Sequence, residues 1–397
     1  MKNNCISIKH VQLEKKGRTY RISAEVNGEP LWFESEDAPL SPSPEAFANA
    51  LLVPAMIQGT NLEFTDPLCN EWLENSNKLM KIYNDWFDWE IISINSPKAE
   101  PSIIDRGNKI ALCFSGGVDS FHSLFTYPKE ISYLVMVHGY DIALSDTKGA
   151  DIVFNHIKGV ADEIGLPAIK ITTNYRHHGI TGKKYRYSFE GALAAISNLI
   201  TDINELVISS DYSREALQNF NACSHWMTAP LRSTKETNFT HYGDTFTRDE
   251  KLRQIAKKPL LKKHLRVCQE NLKPSFHFSS DALNCGECDK CIRTIISLMQ
   301  EGALEGSTVF QSTNNIYQKI DAINSVPSYS LVTYAELINL GLDEKLTRSI
   351  NALIMRTNFI NKNDWLSRRG IKVIALCFRV AHKIQSRSKQ LFKNKHF

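Results

Sequence analysis

The chain has 397 residues, a formal net charge of +4, 42% hydrophobic residues and 23% charged residues, the ordinary balance of a globular chain long enough for two or three domains. A charge this small does not by itself call for nucleic acid, and nine cysteines in such a length do not describe a disulfide scaffold. No run reaches the roughly eighteen apolar residues of a membrane span and residues 1–10 carry no apolar leader core, so a cytoplasmic chain is expected.

Residues 1–105 read as an α+β accessory domain. Residues 5–13 and 19–26 alternate as half-buried strands do, and Asn27-Gly28 then leads into a third run at 31–34, a strong hairpin signal. Helical spacing follows at 44–57 and 68–86, where Trp86 and nearby Trp89 are expected to pack. No catalytic constellation appears, so this domain is expected to serve substrate or partner recognition. The polar stretch 96–108, with Pro97 and Pro101, marks its end.

Residues 106–310 alternate strand and helix: strands are predicted at 110–114, 131–137, 168–172 and 205–209, helices at 120–127, 151–164 and 189–201. This is the α/β pattern of a doubly wound parallel sheet, whose ligands sit beyond the carboxyl ends of the strands. That rule selects residues 115–120, 137–141, 173–174 and 209–212. The segment 177–184, with two histidines, two glycines and two lysines, reads as a lid or as a solvated loop.

The turn after the first of these strands is Ser115-Gly116-Gly117, followed by Val118-Asp119-Ser120. A turn without Cβ atoms lets phosphate oxygens approach the unpaired N–H groups of a helix start. Ser115 and Ser120 add hydroxyls, and Asp119 would repel phosphate unless a cation lay between, which points to a magnesium-bound nucleotide. The plain alternative is a Ser-Asp helix cap. No lysine follows Gly117 at Walker spacing. Asp211 stands where a second carboxylate would help Asp119 hold magnesium, or where it would cap the next helix; Asp141 fits a ribose or substrate contact, or an Asx turn.

Farther on, Cys285-Gly-Glu-Cys288-Asp-Lys-Cys291 supplies three thiols in one turn, with Cys268 upstream. Four thiolates suit tetrahedral zinc, and the polar residues between them argue against a set of core thiols. An iron–sulfur cluster fits the same four residues. Cys268 is set apart by a long gap, and His264 is the substitute ligand nearest to it.

The segment Ser115-Gly116-Gly117-Val118-Asp119-Ser120 resembles the SGGxDS signature of the PP-loop ATP pyrophosphatases, and together with Cys268, Cys285, Cys288 and Cys291 it resembles the 7-cyano-7-deazaguanine synthases of the queuosine pathway over residues 108 to 305. The resemblance implies a Rossmann-like α/β/α sandwich that takes ATP and Mg2+, with a structural Zn2+ on the four cysteines, and Arg293 fits the family's arginine after the cluster. It implies that Val137 and His138 frame the adenine and that Arg248, in Thr247-Arg248-Asp249-Glu250, stands where the family often has lysine on the pyrophosphate. Those four residues also have capping-box spacing. Ser115, Asp119, Asp211 and Arg248 are then the catalytic set, and Ser115, Gly116, Gly117, Val118, Asp119, Ser120, Val137 and His138 hold the nucleotide. The implied reaction is ATP-dependent activation of a small-molecule carboxylate, attacked by ammonia to give an amide or nitrile. Two other outcomes fit the superfamily: a tRNA-modifying sulfurtransferase, or a defence-associated module that conjugates a deazapurine to a protein partner through the added ends. A homodimer is compatible with all three.

Residues 311–397 read as a helical extension, with amphipathic runs at 331–340 and 346–355. From Trp365 to Phe397 there is no carboxylate side chain and there are nine lysines or arginines; a solvated basic tail, an anionic-lipid contact and an RNA-binding arm all fit.

Overall fold

The computed structural model describes residues 5–97, 106–218, 221–268, 270, 283–339 and 341–367. The chain opens with a meander of β1 (Cys5–Lys16), β2 (Thr19–Val26) and β3 (Glu29–Ser35). Asn27 and Gly28 take φ of 52° and 85°, the paired positive angles that a tight hairpin requires, so the predicted turn forms where its dipeptide stands. Next come α1 (Pro44–Gln58), β4 (Asn61–Phe64), α2 (Asn70–Phe87) and β5 (Ile94–Asn95). Pro44 opens α1, and Gly59 closes it in the left-handed region at φ 61°.

The second stretch runs β6 (Lys109–Cys113), α3 (Val118–Thr126), β7 (Tyr133–His138), α4 (Thr147–Ile164), β8 (Ala168–Thr173), α5 (Tyr185–Ser197) and β9 (Ile203–Ser209). It continues with α6 (Arg214–Leu217), β10 (Asn238–Tyr242), α7 (Arg248–Ile255), α8 (Pro259–His264) and α9 (Asp289–Gln300). Helix α5 starts four residues earlier than the apolar spacing predicts. Asp146 caps α4 by accepting from Gly149 N at 2.9 Å.

All ten strands form one mostly parallel sheet, in the order β10-β9-β6-β7-β8-β3-β2-β1-β4-β5. Strands β10, β9, β6, β7 and β8 are mutually parallel, β3 joins β8 antiparallel, and β4 joins β1 parallel. Residues 5–97, read from the sequence as an accessory domain, therefore contribute five strands to the sheet that the α/β stretch builds, and the first compact unit spans Met1–Gln311. Helix α4 packs on β7 and β8, α3 on β6 and β9, and α5 on β9 against α1. Right-handed crossovers put α5 on the face opposite α3 and α4.

Between α1, α2 and α5 lies a buried polar knot. Glu190, on α5, accepts from Arg232 Nε at 2.9 Å, Tyr83 OH at 3.2 Å, Thr228 Oγ1 at 2.9 Å and His225 N at 2.9 Å. Arg232 NH2 donates to Tyr83 OH at 2.9 Å. Trp86 and Trp89 do pack, in a ring cluster with Tyr83, Phe87 and His225. The segment 177–184 is anchored from beneath: His178 and Thr181 are buried, and Thr181 Oγ1 donates to Tyr175 O.

The second unit, Ser312–Phe397, contains α10 (Ile316–Ala322), α11 (Ser328–Asn339) and α12 (Glu344–Ser367). Ile320, Leu337, Ile350 and Leu353 form its apolar centre, and Arg356 NH2 closes α10 by donating to Ile320 O at 3.0 Å and Ile323 O at 3.1 Å. The basic run beyond residue 367 lies outside the described residues. Among those described, no helix is long and apolar enough to cross a membrane.

Candidate functional site

Strand β6 lies between β9 and β7. The chain leaves β6 toward β7 and β8, then returns to the other side of β6 as β9, so successive crossovers diverge there and leave a crevice beyond the carboxyl ends of β6 and β9. Ser115, Gly116 and Gly117 fill the β6 side of that crevice. Gly116 takes φ of 74°, and a Cβ on it would stand 3.3 Å from Arg266 Cβ. Gly117 is the N-cap of α3, and Ser120 Oγ donates to its carbonyl at 3.0 Å. One turn further along, the Ser123 and Ser209 hydroxyls meet at 2.8 Å and fasten α3 to β9.

The charges gather at the same end. Asp119, in the first turn of α3, receives Arg248 NH1 at 2.5 Å and Lys251 Nζ at 3.2 Å. Burial pushes the Asp119 carboxyl up, but Lys251 and Arg248 outweigh it and hold the group below the usual carboxylate range. Both cations come from α7, whose capping box is complete: Thr247 Oγ1 accepts from Glu250 N at 3.3 Å, and Thr247 N donates to Glu250 Oε2 at 2.8 Å. With the helix start fixed, the i, i+3 spacing puts Arg248 and Lys251 on one face. Lys251 is 1% exposed and also donates to Ser210 O at 2.6 Å, which ties α7 to the end of β9.

Asp211 stands within electrostatic reach of Asp119, Lys290, Lys251 and Arg248. Crowding by neighbouring groups raises its carboxyl above the usual range and the negative charge of Asp119 adds to the rise, against Lys290, Lys251 and Arg248; the residue is exposed, and solvent moderates the shift. Lys290, the first-turn lysine of α9, is pulled below the ordinary lysine value by burial and by Arg248, with Asp211 opposing. The structure thus brings Ser115, Gly116, Gly117, Val118, Asp119, Ser120, Arg248 and Asp211 to one end of the sheet. Val137 and His138 end β7, the neighbouring strand; His138 is buried, and its Nε2 lies 3.0 Å from Ala143 O, so the ring serves its own loop. Asp141 is exposed and accepts from Tyr185 OH at 3.4 Å.

Cys268, Cys285, Cys288 and Cys291 form one cluster, with all four sulfurs within 4.8 Å of one another. The Cys268–Cys285 distance is 3.5 Å, and the Cys285–Cys291 and Cys288–Cys268 distances are 3.9 Å. A tetrahedron of thiolates about 2.3 Å from zinc has edges of about 3.8 Å, so the spacing fits a zinc ion at the centre. Cys268 takes the fourth corner despite its long gap. His264 is not in the cluster: its Nε2 pairs with Glu163 at 2.8 Å, and its carbonyl accepts from His156 Nε2 at 2.7 Å.

Three cations near the turn were not in the sequence-derived set. Lys251 was legible in principle, three residues after Arg248 in a capped helix. Lys290 sits inside the cysteine motif, where attention goes to the thiols. Arg266 donates from its backbone N to Gly116 O at 2.7 Å and from NH1 to Ser115 O at 3.1 Å, a contact no local pattern announces.

No protein-family model, no curated protein and no solved structure matches the chain.

Proposed function

We propose that the chain is a PP-loop ligase that uses ATP to activate a carboxylate by adenylation. The observation that carries this reading is the convergence of a glycine turn, a helix N-terminus and the cations Arg248, Lys251 and Lys290 on Asp119, at a switch point of the sheet. Backbone N–H groups at the start of α3 supply donors for phosphate oxygens. Asp119 and Asp211 are the carboxylates that would hold magnesium together with those oxygens, and magnesium supplies neutralisation of the triphosphate charge.

The substrate carboxylate oxygen attacks the α phosphorus, the bond to the pyrophosphate oxygen breaks, and pyrophosphate leaves against Arg248 and Lys290, while Lys251, buried against Asp119 and Ser210 O, fixes the carboxylate. Ammonia then attacks the acyl carbon and AMP departs with the oxygen it gained, leaving an amide; a second adenylation of that amide oxygen, followed by departure of AMP with that oxygen and loss of the two nitrogen protons, gives a nitrile. Zinc on four thiolates has no open position and is structural in this scheme.

Sulfur transfer asks for a reactive thiol near the turn. Burial pushes the Cys113 thiol up to about 12, and burial followed by Glu190 does the same to Cys223, so both stay protonated and poorly nucleophilic. Carboxylate activation is the reading favoured here.

The test is incubation with magnesium, α-labelled ATP and 7-carboxy-7-deazaguanine, with and without ammonium, followed by separation of AMP from ADP. The expected result is AMP that depends on the carboxylate and is abolished in Asp119→Ala. ADP in place of AMP overturns the adenylation reading. AMP formed only with another carboxylate or with a protein terminus moves the acceptor and keeps the mechanism.

A further inference from the structure

The thiol cluster and the glycine turn are joined by a short piece of chain. Residues 264 to 268 run from the edge of the turn into the cluster, ending at the ligand Cys268. Along this piece, Arg266 N donates to Gly116 O and Arg266 NH1 to Ser115 O, and a Cβ on Gly116 would stand in tight contact with Arg266 Cβ at 3.3 Å. The other end is clamped by Asn284, the residue before Cys285: its Oδ1 accepts from Val267 N at 2.7 Å and Cys268 N at 3.0 Å, and its Nδ2 donates to Leu265 O at 2.7 Å. Asn284 and Cys285 are adjacent, so the same segment that brings in a second ligand holds the backbone on both sides of Arg266. On the α3 side the turn is held by Phe121 N and Ser120 Oγ donating to Gly117 O at 2.9 and 3.0 Å, by Gly117 N donating to Ser115 Oγ at 3.3 Å and by Ser115 N donating to Ser120 Oγ at 3.4 Å, whereas the Ser115 and Gly116 carbonyls both accept from Arg266.

We propose that Arg266 is a positioning residue that couples metal in the Cys268–Cys285–Cys288–Cys291 site to the order of the Ser115–Gly117 turn, so that metal and nucleotide each tighten the other's hold. When the four thiolates close on a metal, residues 265–268 are fixed at the Cys268 end and by Asn284, and Arg266 then pins the two carbonyls that set the direction of the turn's N–H groups. Without the metal, Cys268 loses the hold on its side chain, the Asn284 bonds alone fix residues 265–268, and the turn samples more directions. Coupling between two sites is reciprocal, so a nucleotide that orders the turn raises the affinity for metal by the same factor by which metal improves nucleotide affinity, and with the rate of metal capture unchanged that factor appears as slower release. The nucleotide half of this proposal rests on the adenylation reading; the metal-to-turn half does not.

The test uses the full chain loaded with zinc. Zinc release to a chromophoric chelator is timed with and without magnesium-ATP, and amide hydrogen exchange is followed in the peptide containing residues 115–120, in the natural chain and in Arg266→Ala and Arg266→Lys. In the natural chain, ATP should slow zinc release by on the order of tenfold, the middle of the usual range for coupled sites. Arg266→Ala, which keeps the backbone donor to Gly116 O and loses the NH1 contact with Ser115 O, should bind one zinc per chain, exchange faster in the turn with β6 and β9 unchanged, and show a diminished effect of ATP on zinc release. Arg266→Lys, which keeps a charged side-chain donor that alanine lacks, should fall between. Unchanged exchange in the turn of zinc-loaded Arg266→Ala, or an undiminished effect of ATP on its zinc release, overturns the proposal. If removal of zinc from the natural chain raises exchange throughout β6 and β9, the zinc-loaded variants decide. Absence of ATP binding by the natural chain, with turn exchange still governed by Arg266, removes the adenylation reading and leaves the metal-to-turn link standing.

Discussion

Asp119 is held by two attractions that oppose its own burial, and this makes its protonation a readable property. Because its folded-state pKa lies below the ordinary carboxylate value, the stabilisation from these ion pairs is present above that ordinary value and is lost as pH falls through the folded one. Lys251→Met removes the stronger attraction and also the donor to Ser210 O, while Arg248 remains. The expected cost at neutral pH is about 3 kcal/mol, the low end for breaking a buried pair. The gap between natural chain and variant should close on acidification, as Asp119 becomes neutral in both, and urea unfolding across that pH range measures it. A gap independent of pH would assign the loss to packing alone. The sequence displayed Asp119 and Arg248 but not their pairing with each other; a carboxylate just after a glycine turn and an arginine inside a capping box are legible as separate motifs, whereas the contact between residues 119 and 248 is a product of α7 lying against α3.

At the scale of elements, local signals did well where local chemistry decides. The Asn27-Gly28 turn, the capping box at Thr247 and Glu250, and the apolar strand before Ser115 all stand where their residues require. Strands β5 and β10 are short, and β10 is rich in polar residues; their conformation comes from the neighbours they pair with, which periodicity does not report, whereas β4 alternates but over only four residues. Gly191 illustrates a different limit. It reads as an ordinary helix residue, yet a Cβ there would lie 2.4 Å from Asn49 O and 2.8 Å from Arg232 NH1, so its missing side chain is what lets α5 approach α1 and keep Arg232 on Glu190. Gly191→Ala should therefore destabilise by about 1–3 kcal/mol as an overpacked contact, against the small gain that alanine brings to an open helix position. A rise in melting temperature in that variant would show that α5 has slack that the described packing lacks.

For the molecule as a whole, the division falls between Gln311 and Ser312. A chain ending at Gln311 carries the sheet, the thiol cluster and the candidate site, and is expected to melt cooperatively and, on the proposed adenylation reading, to match the full chain in a titration with magnesium-ATP; calorimetry and nucleotide titration check both, and a chain that fails to give a cooperative transition would show that the first unit is not self-sufficient. Within the first unit the seam between β3 and β8 is stitched as much by side chains as by a ladder. The ladder has two pairs, Phe33 with Thr173 and Glu34 with Thr172, while Ser35 Oγ donates to Lys170 O at 2.9 Å, Thr173 Oγ1 to Trp32 O at 2.7 Å, and Asn174 Oδ1 accepts from Trp32 N at 2.9 Å. No sequence pattern marks this seam, because the partners are distant in the chain. Its consequence lies in biosynthesis. The ribosome finishes the five N-terminal strands well before it makes Thr172 and Thr173, and at roughly 5–20 residues per second the free edge of β3 waits on the order of ten seconds for its neighbour. An unpaired strand edge is a template for pairing with other chains, so the yield of this protein in a cell depends on how crowded its own nascent copies are during that wait.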